Sequence, residues 1–411
     1  MKRRSPVQSI AVLCCAIAPV AMGASSYSVV DVGSLGGSFT SGVAINAAGW
    51  VAGESTTTGD TASRAFLWNG SMQDLGTLGG TYSSGYAINA NGWVTGYSYL
   101  AGDAQVHAFL WNGTVQKDLG ALGGDFSQGN AINASGQVTG YAYLDGDSNF
   151  EAFVWNGTAM QGLGSLGGDS TGLAINANGW VAGNATTPGV QHAFLWNGSA
   201  MQDLGTLGGS NSGAEAINAN GWVAGYSQMS GDAAEHAMLW DGASLRDLGT
   251  LGGMSSHGYD INASGRVAGT SDLAGNLAQR AFLWDGASLH DLGTLGGSNS
   301  HGSAINAGGL VVGSAQITDD VEYHAFVWSS TGWSSSTPSS PPTARSYWTM
   351  RLRSTMQARS LLRVATGSPA LRTPSCCPRF RRRRVSTSRD SLRLSKTRPR
   401  RTPRRQDRPC R

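Results

Sequence analysis

A tryptophan follows a short Gly-containing turn at Trp50, Trp93, Trp180 and Trp222, and the equivalent position elsewhere in the chain holds Gln137, Arg266 or Leu310. A side chain that is aromatic in some copies of a repeat and polar in others is not obligatory core. An indole set just after a tight turn offers an apolar, polarisable face on which the C–H face of a sugar ring can stack. Packing between neighbouring units is the competing use. These four residues are the candidate ligand-binding set.

Other chemistry is thinner. Asp103, Asp145, Asp147 and Asp232 fall in the longest and most variable loops. Asp145-Gly146-Asp147-Ser148-Asn149 alternates oxygen ligands as a calcium loop does, but the following Gly and a bidentate Glu at the twelfth position are missing, which favours a solvated turn. His257 and His301 hold equivalent positions in adjacent copies and could face each other; present in only two copies, they read as surface residues before a metal site. The Gly-Gly breaks are followed by neither Lys-Ser/Thr nor a helix signal, so they are not phosphate loops. No Ser sits in a nucleophile elbow, and no acid/base pair stands out against the repeat symmetry. Catalytic residues, metal ligands and cofactors are therefore not expected, and the chain reads as a non-enzyme.

The elements that would hold these residues are repeats. An Asp-Leu-Gly-x-Leu-Gly-Gly-like segment recurs with its first apolar residue at Val32, Leu75, Leu119, Leu163, Leu204, Leu248 and Leu292. An Ala-Ile-Asn-like segment follows each, with Ile45, Ile88, Ile132, Ile175, Ile217, Ile261 and Ile305, and then a Phe-Leu-Trp-like segment ending at Trp68, Trp111, Trp155, Trp196, Trp240, Trp284 and Trp328. In the second copy, strands are expected at 84–89, 93–100, 106–111 and 115–122. Phe109 and Trp111 lie on one face of the third and Ala108 and Leu110 on the other. Asn112-Gly113 is a strong hairpin signal. Four short antiparallel strands in about 44 residues, repeated radially, make a β-propeller blade; a β-solenoid usually has shorter coils without two tight hairpins per repeat. The expected fold is all-β, a propeller of about seven four-stranded blades over residues 27–333. Tyr27 to Gly33 resembles a fourth strand without its three predecessors, so it is expected to complete the last blade, close the ring and remove its open edges.

Composition agrees. The chain has 59 Gly in 411 residues and only 13% charged residues, a poor source of helices. The net charge of +3 hides a division: residues 27–333 hold 5 Lys/Arg against 24 Asp/Glu, and residues 334–411 hold 21 against 2. Residues 1–26, with Lys2, Arg3 and Arg4 before an apolar run and then small residues, read as a signal peptide. The run is too short to span a membrane, so the mature protein is expected to be secreted or periplasmic and to have no membrane span. All cysteines lie outside 27–333, so the body has no disulfide framework. The Arg/Ser/Pro-rich segment 334–411 reads as a disordered tail, as a cationic binding segment, or as a shifted reading frame whose synonymous codons permit a further repeat motif.

The motif order resembles the bacterial HAF extracellular repeat family, whose His-Ala-Phe triplet stands here at His107-Ala108-Phe109, His192-Ala193-Phe194 and His324-Ala325-Phe326. The resemblance implies an exported repeat protein and carries no catalytic residues. The expected function is a non-catalytic extracellular binding or adhesion module for polysaccharide or a surface protein, with no nucleic acid bound by the propeller. A glycan-directed propeller lyase or hydrolase and a purely structural surface protein are the alternatives.

Overall fold

The computed structural model describes residues 30–335, apart from 321 and 331, together with 363–364, all within the first of the chain's two compact units, Met1–Pro369. The expected signal peptide and most of the Arg-rich segment lie outside the described residues. Seven four-stranded antiparallel meanders follow one another: blades 36–74, 79–118, 123–162, 170–203, 208–247, 252–291 and 296–335. Among the described residues, no helix is long and apolar enough to cross a membrane.

Blade 2 shows how the residues build the unit. Its inner strand is Gly79–Ile88, followed by Val94–Leu100, Val106–Trp111 and the outer Gln116–Asp118. The third strand has the expected bounds. Both its faces are buried, with Ala108 and Phe109 fully covered, because each face meets a different neighbour. Ala52, Ala65 and Leu67 of blade 1 pack on Ile88, Val94, Phe109 and Trp111 of blade 2, and the same seam recurs around the array. Burying a side chain the size of Phe109 contributes about 2–3 kcal/mol, and the small Ala face lets the sheets stack closely.

Polar stitches fix the spacing between blades. Buried Ser83 accepts a hydrogen bond from the Ala65 N–H of the preceding blade (2.9 Å) and donates to the Gly76 carbonyl (2.6 Å); Ser170, Ser212 and Ser256 do the same in their blades. The Asn of each Ala-Ile-Asn segment is a second stitch. Asn89 Oδ1 accepts from the N–H groups of Asn91 and Trp93, while its Nδ2 donates to the Asn133 carbonyl of the next blade at 3.1 Å. Asn46, Asn133, Asn176, Asn218 and Asn262 repeat the bond to the following blade.

The strand limits differ from expectation at both ends of the blade. The inner strand begins at Gly79, because the Gly-Gly pair is the start of the strand rather than a break. The outer strand has only three residues, because Asp118 accepts the Gly120 N–H (2.7 Å) and the chain turns away at Gly120, φ 74°. The expected ring closure does not form. Gly332–Ser335 supplies the outer strand of the last blade, pairing with Tyr323–Ser329, and Val30–Asp31 pairs with Arg363–Val364. A hairpin between Ser329 and Gly332 closes a far shorter loop than a strand some 300 residues away, and so carries less loop entropy.

Candidate functional site

All seven inner strands converge on one cavity of about 840 Å³. Each inner strand carries a β-bulge between a small residue, Gly in six blades and Ala214 in the fifth, and the Ala (or Asp260) before Ile. In blade 3, Gly129 pairs with Gly140 and Ala131 with Thr139, so Asn130 is inserted. The inserted residues of the seven blades are Val43, Tyr86, Asn130, Leu173, Glu215, Tyr259 and Ser303. Every one of them lines the cavity. A bulge bends its strand and re-aims a side chain, a common device beside functional sites. The flanking Gly and Ile recur with little change while the inserted residue differs almost every time. Symmetry is therefore kept in the frame and broken at the lining.

The expectation that no acid/base groups break the symmetry is thereby corrected. Glu215, Asp260, His301, Tyr86 and Tyr259 all line this space. The reason for the miss is positional: the loops and rims are where such groups usually show, whereas here they sit inside the most regular strand. Asp260 takes the place of Ala and is buried, with Oδ1 accepting the Ile261 N–H (2.9 Å) and Oδ2 the Ile305 N–H of the next blade (2.7 Å). Gln128 donates to Asn130 Oδ1 (2.8 Å), and Asn130 Nδ2 donates to the Gly172 carbonyl (2.9 Å). The signal that could have found the site was the variable residue between fixed Gly and fixed Ala-Ile.

Polar networks run into the lining from the seams. Tyr82 hydrogen-bonds Glu54 of the preceding blade, and its ring stacks on Tyr97 at 5.7 Å, with Tyr86 a further 5.6 Å from Tyr97. Burial, and then the bond to Glu54, push the Tyr82 hydroxyl up to about 12; burial and the bond to Tyr82 likewise raise Tyr97. His257 pairs with Glu235 and stacks on Tyr226 of the preceding blade at 4.4 Å. His301 stacks on Tyr323 at 5.7 Å, and burial lowers its pKa, favouring the neutral imidazole. The two histidines thus serve different surroundings, and among the described residues no group of three or more His, Cys, Asp or Glu forms a metal cluster.

Trp50, Trp93, Trp180 and Trp222 are half-buried at the seams and are absent from the cavity lining. Each indole edge rests on the turn glycine of the next blade, namely Gly92, Gly136, Gly221 and Gly265, whose φ values of 81–84° already require glycine. A Cβ on Gly92 would stand 2.4 Å from Trp50 Cζ3. Gln137 and Arg266 reach the equivalent glycines of the next blade, Gly179 and Gly309, which explains why the position tolerates polar residues. Trp93→Ala is expected to cost about 2 kcal/mol, below the range for a fully buried Trp; urea denaturation checks it, and a cost under about 0.5 kcal/mol would show that the ring is dispensable to the seam.

The loop aspartates have structural partners. Asp103, Asp147 and Asp232 adopt left-handed φ and accept the N–H of Thr81, Asp125 and Ser210 at the start of the inner strands. The Asp147 carboxylate thus ties its loop to the start of the inner strand. The triplet His also has a role: His107, His192 and His236 each pair through Nδ1 with Asp118, Asp203 and Asp247 of the outer strand at 2.9 Å. Burial raises the Asp118 pKa, but the bonds from His107 and the Gly120 N–H outweigh it and hold the group below its ordinary value.

No protein-family model and no curated protein matches the chain. Similar solved structures include the β-propeller domain of the Trilobed protease from Pyrococcus furiosus, at 11% identity over 74% of this chain and 98% of that one, TM-score 0.48. The acylaminoacyl peptidase of Pyrococcus horikoshii is similar at 10% identity over 70% of this chain and 50% of that one, TM-score 0.41. A puromycin hydrolase is similar at 13% identity over 76% and 56%, TM-score 0.44. This chain thus spans about half the length of the last two. The expectation of a non-enzyme is corrected by these findings: a peptidase and a hydrolase are among the similar structures, so the architecture gives no ground for placing the chain outside the enzymes.

Proposed function

We propose that the chain is an exported propeller of the HAF repeat type that takes a polysaccharide segment in its axial cavity and serves as an extracellular binding or adhesion module. One observation carries the reading: seven near-identical blades place seven inserted side chains, nearly all different, on one cavity wall. A purely structural axis needs no such variety. Tyr86 and Tyr259 offer stacking faces, Gln128 and Asn130 offer amide donors and acceptors, and the volume suits an oligosaccharide. The half-buried Trp50, Trp93, Trp180 and Trp222 add a secondary surface at the turn rim.

The test is a glycan panel probed with the full chain and with Leu173→Trp. The inserted position already accepts Tyr in two blades, so the larger ring is expected to fold while filling the cavity. Expected is binding to one polysaccharide class and at least a tenfold loss in the variant, with an unchanged melting temperature. Equal binding by both proteins would move the contact away from the cavity, and the Arg-rich segment, common to both, cannot produce the difference. A second reading, a glycan lyase or hydrolase, is favoured by the asymmetric Glu215, Asp260 and His301; new reducing ends appearing in the bound polysaccharide would select it.

A further inference from the structure

Independently of the cavity, we infer that the outer hairpins of blades 2, 3 and 4 are self-modifying sites at which Asn112, Asn156 and Asn197 convert to aspartyl and isoaspartyl residues. The chain holds seven Asn-Gly pairs, and the fold divides them. Four, at Asn69, Asn112, Asn156 and Asn197, stand exposed on hairpins between the third and outer strands. Three, at Asn91, Asn178 and Asn220, stand in turns between the first two strands of a blade. Asn is a labile side chain, and before Gly it is most so, because no Cβ shields the following backbone nitrogen. That nitrogen attacks Cγ, and a new N–Cγ bond closes a succinimide ring. The amide proton passes to water, and the Cγ–Nδ2 bond breaks with release of ammonia. Water then opens the ring at either carbonyl, leaving Asp or isoaspartate.

The three hairpins assist this step. Asn156 Oδ1 accepts from the Thr158 N–H (3.0 Å), the Thr158 hydroxyl (2.8 Å) and the Ala159 N–H (3.0 Å). Asn197 has the same donors in Ser199 and Ala200 at 3.1, 2.9 and 3.2 Å, and Asn112 has them in Thr114 and Val115 at 3.2, 2.9 and 3.3 Å. Attack at Cγ drives negative charge onto that oxygen, where donors already in place stabilise it. Blade 5 shows that they favour charge there. Asp241 holds the equivalent position, and the N–H groups of Ser244 and Ala243 keep its carboxyl below the ordinary value. The N–H groups of Gly113, Gly157 and Gly198 have no partner among the described residues, and a Cβ on any of these glycines would meet nothing within 4 Å. The nucleophile is unbound and the backbone around it has room to turn.

The turn pairs are built the opposite way. Gly92, Gly179 and Gly221 donate their N–H to the carbonyls of Asn89, Asn176 and Asn218 at 3.0 Å and pack against Trp50, Gln137 and Trp180. The amides that would leave, those of Asn91, Asn178 and Asn220, donate to the Ala134, Ala219 and Ala263 carbonyls of the next blade. Asn69 isolates the part played by the donors. It is exposed and Gly70 is open, but its hairpin is one residue shorter and its side-chain oxygen accepts no hydrogen bond among the described residues. Blades 5 and 6 already carry Asp241 and Asp285 at this position, so the aspartyl product fits the turn. Isoaspartate lengthens the backbone and would loosen an outer strand of only three residues.

Peptide mapping by mass spectrometry of the full chain, kept folded at mildly alkaline pH, tests the inference. Asn112, Asn156 and Asn197 are expected to gain the mass of an Asn-to-Asp conversion about tenfold faster than Asn69, while Asn91, Asn178 and Asn220 stay intact. Thr158→Val removes one exposed donor and is expected to slow Asn156 alone by about threefold, at an unchanged melting temperature. In urea all seven sites are expected to convert at similar rates. The inference is overturned if Asn69 or the turn sites convert as fast as Asn156 in the folded chain. An unchanged Asn156 rate in Thr158→Val, or the folded order persisting in urea, would overturn it equally.

Discussion

Asn89→Ala is expected to destabilise the protein by about 3 kcal/mol in urea denaturation. Asn89 is 1% exposed, and its amide does three things at once. Its oxygen holds the turn by accepting from Asn91 and Trp93, both at 3.0 Å, and its nitrogen reaches the Asn133 carbonyl of the next blade at 3.1 Å. Truncation leaves the Trp93 N–H and one lone pair of the Asn133 carbonyl without their partners, and each such loss in a covered site costs about 1–3 kcal/mol. The Asn91 N–H lies at an exposed position and water can replace its partner. Asn89→Asp separates the two duties, because it keeps the acceptor and turns the donor into a second oxygen facing a carbonyl. In that variant the buried acid has a raised folded-state pKa. Its neutral form can donate to Asn133, so the stability is present at low pH and lost as pH rises through that pKa. Asn89→Asp is thus expected to lie closer to the wild type at pH 4 than at pH 7. A loss below 1 kcal/mol for Asn89→Ala would show that the Asn ladder does not hold the blades together.

That ladder shows how far the residues alone could be read. The seven copies, the four strands per copy and the third strand of blade 2 were legible because they rest on periodicity and on Asn-Gly hairpin chemistry, which are local. The recurrence of Asn after Ile was also visible, but its purpose was not, since the partner lies 44 residues on and only stacking brings them together. The four tryptophans were read as a binding set with packing between units as the competing use, and they are half-buried against the core clusters. What they rest on, a glycine of the next turn, follows from the rotation between blades, which no single repeat encodes. The strand closing the ring was misplaced because the sequence from Tyr27 to Gly33 reads as a fourth strand wherever it goes, whereas the competing hairpin at Ser329 carries no motif. The cavity lining was missed for a related reason. A bulge is a mismatch in count between two strands, and one strand read alone has no count to mismatch.

Gly140→Ala should have the largest effect of any single methyl group added to a strand of blade 3. Gly140 pairs with Gly129 beside the bulge, and a Cβ on it would stand 1.8 Å from the Gln128 carbonyl oxygen. The obstacle is backbone, so no side-chain rotation relieves it; the inner strand itself must move. Overpacking of a core commonly costs about 1–3 kcal/mol, and a clash that opens a ladder is expected at the top of that range or beyond it, seen as loss of soluble protein or a sharply lowered urea midpoint. Gly102→Ala is the contrasting case. Gly102 has φ 88° but nothing within 4 Å of the added carbon, so only the left-handed backbone is penalised, by about 1–2 kcal/mol. If the two variants proved equally mild, the close approach at Gly140 would not be what fixes the bulge. The difference bears on function because Asn130, the residue this bulge turns onto the cavity wall, lies on the strand that must move. Any folded Gly140→Ala protein should therefore lose cavity binding as well as stability, whereas Gly102→Ala, in a loop on a different blade, should lose only stability.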